Sequence, residues 1–315
     1  MKSIWMGTVV ISIDAELIWG FHDNEKLPVQ RIDRARRAWL NLIDLLDEFE
    51  VSATWAVVCH LFLNECDGVH ADIECQDGWF ERDPGGTVDE STSWFAPDLI
   101  ETIRDASVTH EIGSHTFSHV EFGNQATTQD IAAADLRECR RMASKWDIDL
   151  ESFVFPRNNV GHRELLAKYD YTCYRGVEPE RWYDRTPIRP IGKAMSMTAG
   201  RSPPPTVQPD VDEYGLVNIP ASLYLFTFEG LPKQLIEKAT ADPIVRKAKL
   251  GIDAAIESER VFHVWLHPNN ISNKEDIERM RKILAYVEQK REMTGLNVQT
   301  MGQLARQTLD MQPVN

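Results

Sequence analysis

His115 and His119, in the stretch HEIGSHTFSH (110–119), stand four residues apart in a chain of 315 residues with only 9 histidines. Chance alone gives about 0.25 pairs at that spacing, so the pair by itself proves little. If 115–119 forms a helical turn, both imidazoles lie on one face, close enough to hold one metal ion. Otherwise the pair is structural or faces solvent. Gly113 and Ser114 allow a sharp redirection between a preceding strand and that turn. A second group is Asp14 and Glu16 in SIDAE, at the end of an apolar run. Strand alternation points both to the same side, where two carboxylates are costly unless something cationic lies between them. In the alternative, Asp14 caps a turn and Glu16 is solvated. Arg157 in FPRNNVG directly follows another strand-like run, and an arginine beside clustered carboxylates would lower and orient one of them. Its bland reading is a surface ion pair. The last group is HVWLH (263–267), which repeats the four-residue spacing in a strand. There four residues span about 13 Å, so His263 and His267 cannot share an ion. His267, at the strand end before Pro268, sits where a barrel displays catalytic groups, while His263 reads as a core residue.

These groups need elements to position them. Strands are expected at 8–14, 52–58, 108–113, 152–156, 171–176, 216–222 and 261–267, where β-branched and aromatic residues cluster. Apolar residues at three- and four-residue intervals predict helices at 33–49, 98–106, 128–145, 162–168, 231–257 and 274–292. A short strand LNVQT and a helix 300–310 close the chain, and the Pro-rich 177–213 is expected to be loop. The alternation implies parallel strands with crossover helices, hence an α/β architecture. With no obvious linker, one barrel-like domain spanning 1–315 is favoured over two. Insertions at 60–93 and 177–213 follow strands, the end where ligands bind in parallel α/β folds. Their aromatic residues Trp79, Phe80, Trp94, Phe95, Trp182 and Tyr183 either stack on sugar faces or pack under the loops.

Composition narrows the classes. The 34 Lys+Arg against 49 Asp+Glu leave a net charge of −15, which argues against nucleic acid or anionic membranes as partners. Such an acid excess suits solubility in a high-salt cytoplasm. The 5 cysteines form no CxxC pair and read as mostly buried thiols in a reducing compartment, not as a disulfide framework or zinc ribbon. The start of the sequence lacks the apolar core of a signal peptide, and no stretch suits a membrane-spanning helix, so a cytoplasmic location is expected.

Carboxylate pair, histidine pair, arginine and histidine thus follow one another, each at the C-terminal end of a successive expected strand. In this order the sequence resembles the polysaccharide deacetylase superfamily, the NodB-homology group that includes the fourth carbohydrate-esterase family, over roughly 8–270. HTFSH is similar to its metal motif, SIDAE to its first motif, FPRN to its third and VWLHP to its leucine–x–histidine motif. The resemblance implies a distorted barrel of the (β/α)7 type and one divalent ion, usually zinc, held by two histidines and a carboxylate. Carried over, His115 and His119 are ligands. Ala15 departs from the usual adjacent aspartates and makes this a D-x-E variant, with Glu16 as ligand and Asp14 as base, or the reverse. His267 becomes the general acid and Arg157 the partner orienting Asp14. Asn158, with a nearby backbone N–H for the oxyanion, Leu266 as hydrophobic wall and Trp182 as groove residue are the implied substrate contacts. The implied activity is metal-dependent removal of an N-acetyl group from an amino sugar or glycan precursor. The alternatives are hydrolysis of a cyclic amide or ureide, as in the allantoinase-like and imidase-like branch, or a catalytically silent carbohydrate-binding relative.

Overall fold

The apolar run TVVISIDA forms β1 (Thr8–Ala15), and all of its residues are buried, as in a strand covered on both faces. The structure, a computed structural model, describes residues 6–180, 202–226, 242–271 and 273–311. After β1 come α1 (Val29–Glu48), β2 (Thr54–Val57), a small hairpin of β3 (Glu65–Cys66) and β4 (Gly86–Thr87), α2 (Pro97–Arg104), β5 (Glu111–Ser114) and α3 (Gln129–Trp146). They are followed by β6 (Ser152–Val154), α4 (Arg163–Lys168), β7 (Cys173–Gly176), β8 (Asp210–Val211), β9 (Val217–Pro220) and β10 (Leu223–Tyr224). Then come α5 (Pro243–Ser258), β11 (Val261–Leu266), α6 (Lys274–Thr294), β12 (Asn297–Gln299) and α7 (Met301–Asp310). The main sheet runs β10-β11-β1-β2-β5-β6-β7-β9-β8, with β12 also on β1. Every pairing in it is parallel except β8 on β9. The curled parallel sheet with helices outside is the distorted barrel the alternation predicts.

Helix limits follow local chemistry. Thr128 caps α3 by accepting the Ile131 N–H, and Asp147 ends it in the left-handed region. Asp242 caps α5 through the N–H groups of Ile244 and Val245, and Asn273 caps α6 through Asp276. For the helix expected at 231–257, residues 231–241 lie outside the described ones. α1 buries Ile32, Ala35, Trp39, Leu42, Ile43 and Leu46, the three–four spacing of one helix face. Trp39 stacks on Trp55 of β2 with ring centroids 5.2 Å apart. The strand expected at 108–113 begins only at Glu111, because Asp47 takes the Ser107 and Val108 N–H groups, 2.9 Å each, and draws that segment onto the end of α1.

Two apolar regions result. The larger lies between sheet and helices. The smaller fills the barrel interior with Val10, Ala56, Val154, Cys173, Val217 and Val261, packed on Met301, Leu304 and Ala305 of α7. The first N–H groups of α7 bond Thr54 Oγ1 and Glu111 Oε2, at the starts of β2 and β5. So α7 closes the N-terminal end of the barrel, and the opposite end is left for chemistry. All five cysteines are free thiols, with Cys59, Cys139 and Cys173 buried. Among the described residues no helix is long and apolar enough to cross a membrane.

Candidate active site

Alternation along β1 turns Val10, Ser12 and Asp14 inward, and the chain continues to Glu16. On β11 the same rule turns His263, Trp265 and the following His267 inward, and on β7 it turns Arg175 inward. The interior is therefore apolar at the bottom and polar toward the C-terminal strand ends. His263, fully buried, bonds Ser12 Oγ at 2.9 Å, and burial pushes its pKa down to about 3, fitting a neutral core histidine.

At the top, Glu16, His115 and His119 come together, all three buried. Glu16 Oε2 lies 3.1 Å from His119 Nε2 and 3.6 Å from His115 Nε2. His115 Nδ1 donates to the Val154 carbonyl at 2.8 Å, which fixes the tautomer and leaves Nε2 a bare lone pair. That buried Nε2 has no hydrogen-bond partner. Burial would raise Glu16, but the His267, His115 and His119 imidazoles around it hold its carboxyl well below the usual range. Burial also pushes the His119 imidazole down, with the Glu16 carboxylate opposing it, which favours the neutral ring. Two imidazoles and one carboxylate, with an orphaned ring nitrogen among them, fit a divalent metal ion.

The pair does not sit on a helical turn. Residues 116–118 form a turn, and Thr116 within it and His119 just after it take positive φ, 65° and 63°. Asp135 of α3, its carboxyl pushed up to about 7 by burial, accepts the Phe117 and Ser118 N–H groups at 2.8 and 3.3 Å and holds this strained turn. The imidazoles end up with centroids 5.1 Å apart. Close approach matters next to Glu16 as well: a Cβ on Gly20 would lie 2.2 Å from the Glu16 carboxyl.

Arg175, not Arg157, holds Asp14. Its two terminal nitrogens reach Asp14 Oδ1 and Oδ2 at 2.6 and 2.7 Å, and it also bonds Ser12 and Asn158. Its guanidinium lies 4.4 Å from the Trp265 ring centroid. Burial would raise Asp14, but Arg175, with His115 and His267, outweighs it and keeps the carboxyl below its ordinary value. Arg157 has a positive φ of 53° that turns its side chain to the rim, where it pairs with Asp23 at 2.6 Å and Glu121 at 2.5 Å. The sequence signal for Arg175 was a lone charge inside the apolar strand run YTCYRG, which is costly unless paired.

Other expectations shift too. Asn158 lines the cavity, yet its side-chain oxygen accepts from Arg175. The backbone N–H groups of Asn158 and Asn159 donate to the Phe155 and Pro156 carbonyls, so neither is free for an oxyanion. Leu266 is fully buried in the outer core, because one step of alternation puts it opposite Trp265 and His267. Trp265 provides the apolar wall instead. Phe80, Trp94 and Phe95 are buried under the 60–93 insertion. Trp182 and Tyr183 lie outside the described residues. His267 points Nε2 toward Glu16 Oε1 at 3.5 Å and Asp14 Oδ2 at 3.8 Å. These groups surround a cavity of about 200 Å³, whose wall also includes Phe21, Arg31 and Arg157.

A protein from Mycobacterium smegmatis named as a polysaccharide deacetylase matches over 99% of this chain and 94% of its own, at 15% identity and TM-score 0.64. The chain has the polysaccharide deacetylase fold. PuuE allantoinase matches 98% of this chain and 92% of its own, at 12% identity and TM-score 0.61. A Pseudomonas aeruginosa protein, again named as a polysaccharide deacetylase, matches 98% and 92% at 10% identity and TM-score 0.60. No family model matches the sequence, and no curated protein matches it. The deacetylase fold thus carries both polymer-directed and small-amide names, and the choice falls to the site.

Proposed function

We propose that this chain, as one domain, is a metal-dependent hydrolase that removes N-acetyl or similar acyl groups from an amino sugar or glycan precursor. The observation that carries the reading is the Glu16–His115–His119 cluster, placed beside an Arg175-clamped Asp14 and His267 at the open end of the barrel. Glu16, His115 and His119 would hold a divalent ion there, zinc by donor type, which would supply Lewis-acid chemistry toward water and an amide carbonyl. Asp14 accepts the proton of the attacking water, and Arg175 occupies only one lone pair on each of its oxygens, leaving room for that bond. His267, within reach of both carboxylates, returns a proton to the departing nitrogen. Asn158 acts by holding Arg175, while Trp265 and Phe21 offer the walls that exclude water from the scissile bond. The buried free thiols Cys59, Cys139 and Cys173 support a reducing, cytoplasmic setting.

A second reading has its own observation. A cavity of about 200 Å³ is small beside the usual ligand pocket of roughly 300–1,000 Å³, which favours a compact substrate such as a cyclic amide or ureide. Acetate release from N-acetylglucosamine and its short oligomers, measured beside ring opening of allantoin and cyclic imides, separates the two. Acetate release that His115→Ala and His267→Ala both abolish supports the deacetylase. Ring opening alone moves the assignment to the amide branch, and no turnover of either class by metal-replete protein overturns both.

A further inference from the structure

The hydrolytic site leaves unused a second knot of ligand-type side chains. His60, Cys66, His70 and Asp83 each bring one donor atom to within 4.8 Å of the others. Asp83 Oδ2 is the hub, 2.7 Å from His70 Nε2, 3.1 Å from His60 Nε2 and 3.4 Å from Cys66 Sγ, and the two imidazole nitrogens are 3.3 Å apart. We propose that these four residues form a second, structural divalent-metal site of the zinc class, which staples the 60–93 insertion to the barrel.

With both rings neutral, the protons do not balance without an ion. His60 Nδ1 lies 3.2 Å from the Trp94 carbonyl, which can only accept, so the neutral ring carries its proton there and Nε2 is a lone pair. That lone pair, on a side chain with 0% exposure, faces the carboxylate of Asp83 and another imidazole. His70 has a single Nε2 proton to share between Asp83 and His60, and the thiol of Cys66 already points at Asp83. At least one buried lone pair therefore faces another, which is costly. A cation satisfies all four donors at once.

The geometry is close to what such an ion needs. Bonds of about 2.0–2.3 Å in a tetrahedron give ligand–ligand edges of about 3.3–3.7 Å. Of the four short contacts, two match, and the Asp83 carboxylate needs to withdraw from the imidazoles by about half an ångström. The supporting contacts are those of a metal centre. Trp94 fixes the His60 tautomer, the Gly85 N–H donates to Asp83 Oδ1 at 3.0 Å, and Asp67 accepts the Val69 and His70 N–H groups at 2.9 and 3.0 Å. Gly68, with φ +71°, lets the two arms of the insertion meet, since a Cβ there would lie 2.8 Å from the Asp83 carbonyl. Cys66 and His70 also line an outer cleft of about 930 Å³, which gives an ion a way in.

The insertion has little regular structure, a short 3-10 turn and the two-residue strands β3 and β4, so side-chain contacts such as this cluster and the burial of Phe80 must order it. The staple also bears on the hydrolytic turn. The Cys59 and His60 N–H groups donate to the Thr116 and Phe117 carbonyls at 2.9 Å each, between the two ligand histidines. The competing arrangement is a metal-free imidazolium–aspartate network.

Zinc content of the purified full chain by mass spectrometry, together with cobalt(II) substitution, tests the site. The hydrolytic cluster contains no sulfur, so a thiolate-to-cobalt charge-transfer band reports only on the second site. The expected results are two equivalents of zinc in the wild type, one in His115→Ala, and a thiolate band that His115→Ala keeps and Cys66→Ser loses. One equivalent in the wild type, lost in His115→Ala, with no thiolate band, overturns the second site and leaves the hydrolase intact. One equivalent retained in His115→Ala with the band supports the second site and removes the metal from the hydrolase. A band that survives in folded Cys66→Ser overturns the assignment of Cys66. Should Cys66→Ser not fold, the wild-type and His115→Ala spectra decide.

Discussion

Arg175 grips Asp14 with two parallel hydrogen bonds inside the barrel, and lysine can supply only a point charge there. Losing that bidentate geometry misplaces the base, so Arg175→Lys should lower kcat/KM by about 100-fold. Arg175 holds the Asp14 carboxyl down, so weakening it raises that group and moves the acidic limb of the pH–rate profile to higher pH. Steady-state kinetics across pH checks both, and an unshifted limb would remove Asp14 as the base. Arg157 makes a contrasting control. Its side chain is 41% exposed and engaged with Asp23 and Glu121 at the rim, so Arg157→Ala should cost less than about tenfold in kcat/KM with the limb unmoved. The sequence alone placed an arginine beside the carboxylate but chose the wrong one. Proximity in the chain to a strand end said nothing of φ at position 157, and that angle turns the side chain outward.

At the scale of elements, the site depends on two short turns more than on the strands beside them. The 3-10 turn Trp19–Phe21 lets the Glu16 carboxylate lie against Gly20. In Gly20→Ala the methyl must displace that carboxylate from His119. The expected outcome is a protein with wild-type circular dichroism but with metal content at the hydrolytic site reduced by more than half, read in a background that lacks Cys66. Full occupancy would show that Glu16 is not a ligand. The 115–119 turn depends on Asp135 in the same way. Asp135→Ala frees the Phe117 and Ser118 N–H groups, and about 1–3 kcal/mol of stability should go with each buried group left unpaired. Thermal unfolding of that variant, with zinc and with chelator, measures the loss. Helical spacing in the sequence singled out His115 and His119, but the rings do not meet on a helical turn. A strained turn anchored from α3 brings the rings together, and no local pattern announces it.

For the whole molecule, the polar column inside the barrel ties stability to pH through His263. Its folded pKa is pushed down to about 3 by burial, while the unfolded chain titrates near 6.5. Between those values the unfolded state binds a proton that the folded state refuses, so stability rises with pH there and is fully present above about 6.5. The contribution lost between pH 7 and pH 5 is about 2 kcal/mol. Urea unfolding of His263→Gln should show a correspondingly shallower fall over that interval than the wild type, and parallel slopes would mean that His263 is not held neutral. The C-terminal helix α7 closes the other end of the same interior, which is why a helix far along the chain bears on strands β2 and β5.

Much of this protein was written in linear pattern. The alternation of apolar strand runs with amphipathic helices dictates a parallel α/β barrel, because each strand must be covered on both faces. Side-chain types at the strand ends pointed to Asp14, Glu16, His115, His119 and His267, since charged and metal-binding groups after buried runs are costly without a partner. What only the tertiary structure decided depends on contacts between distant segments. Arg175 reaches Asp14 across 161 residues, and one step of alternation exchanges Leu266 for Trp265 in the cavity wall. His60, Cys66, His70 and Asp83 converge because an insertion with little regular structure folds back on itself, and their spacing in the chain carries no period by which to read it.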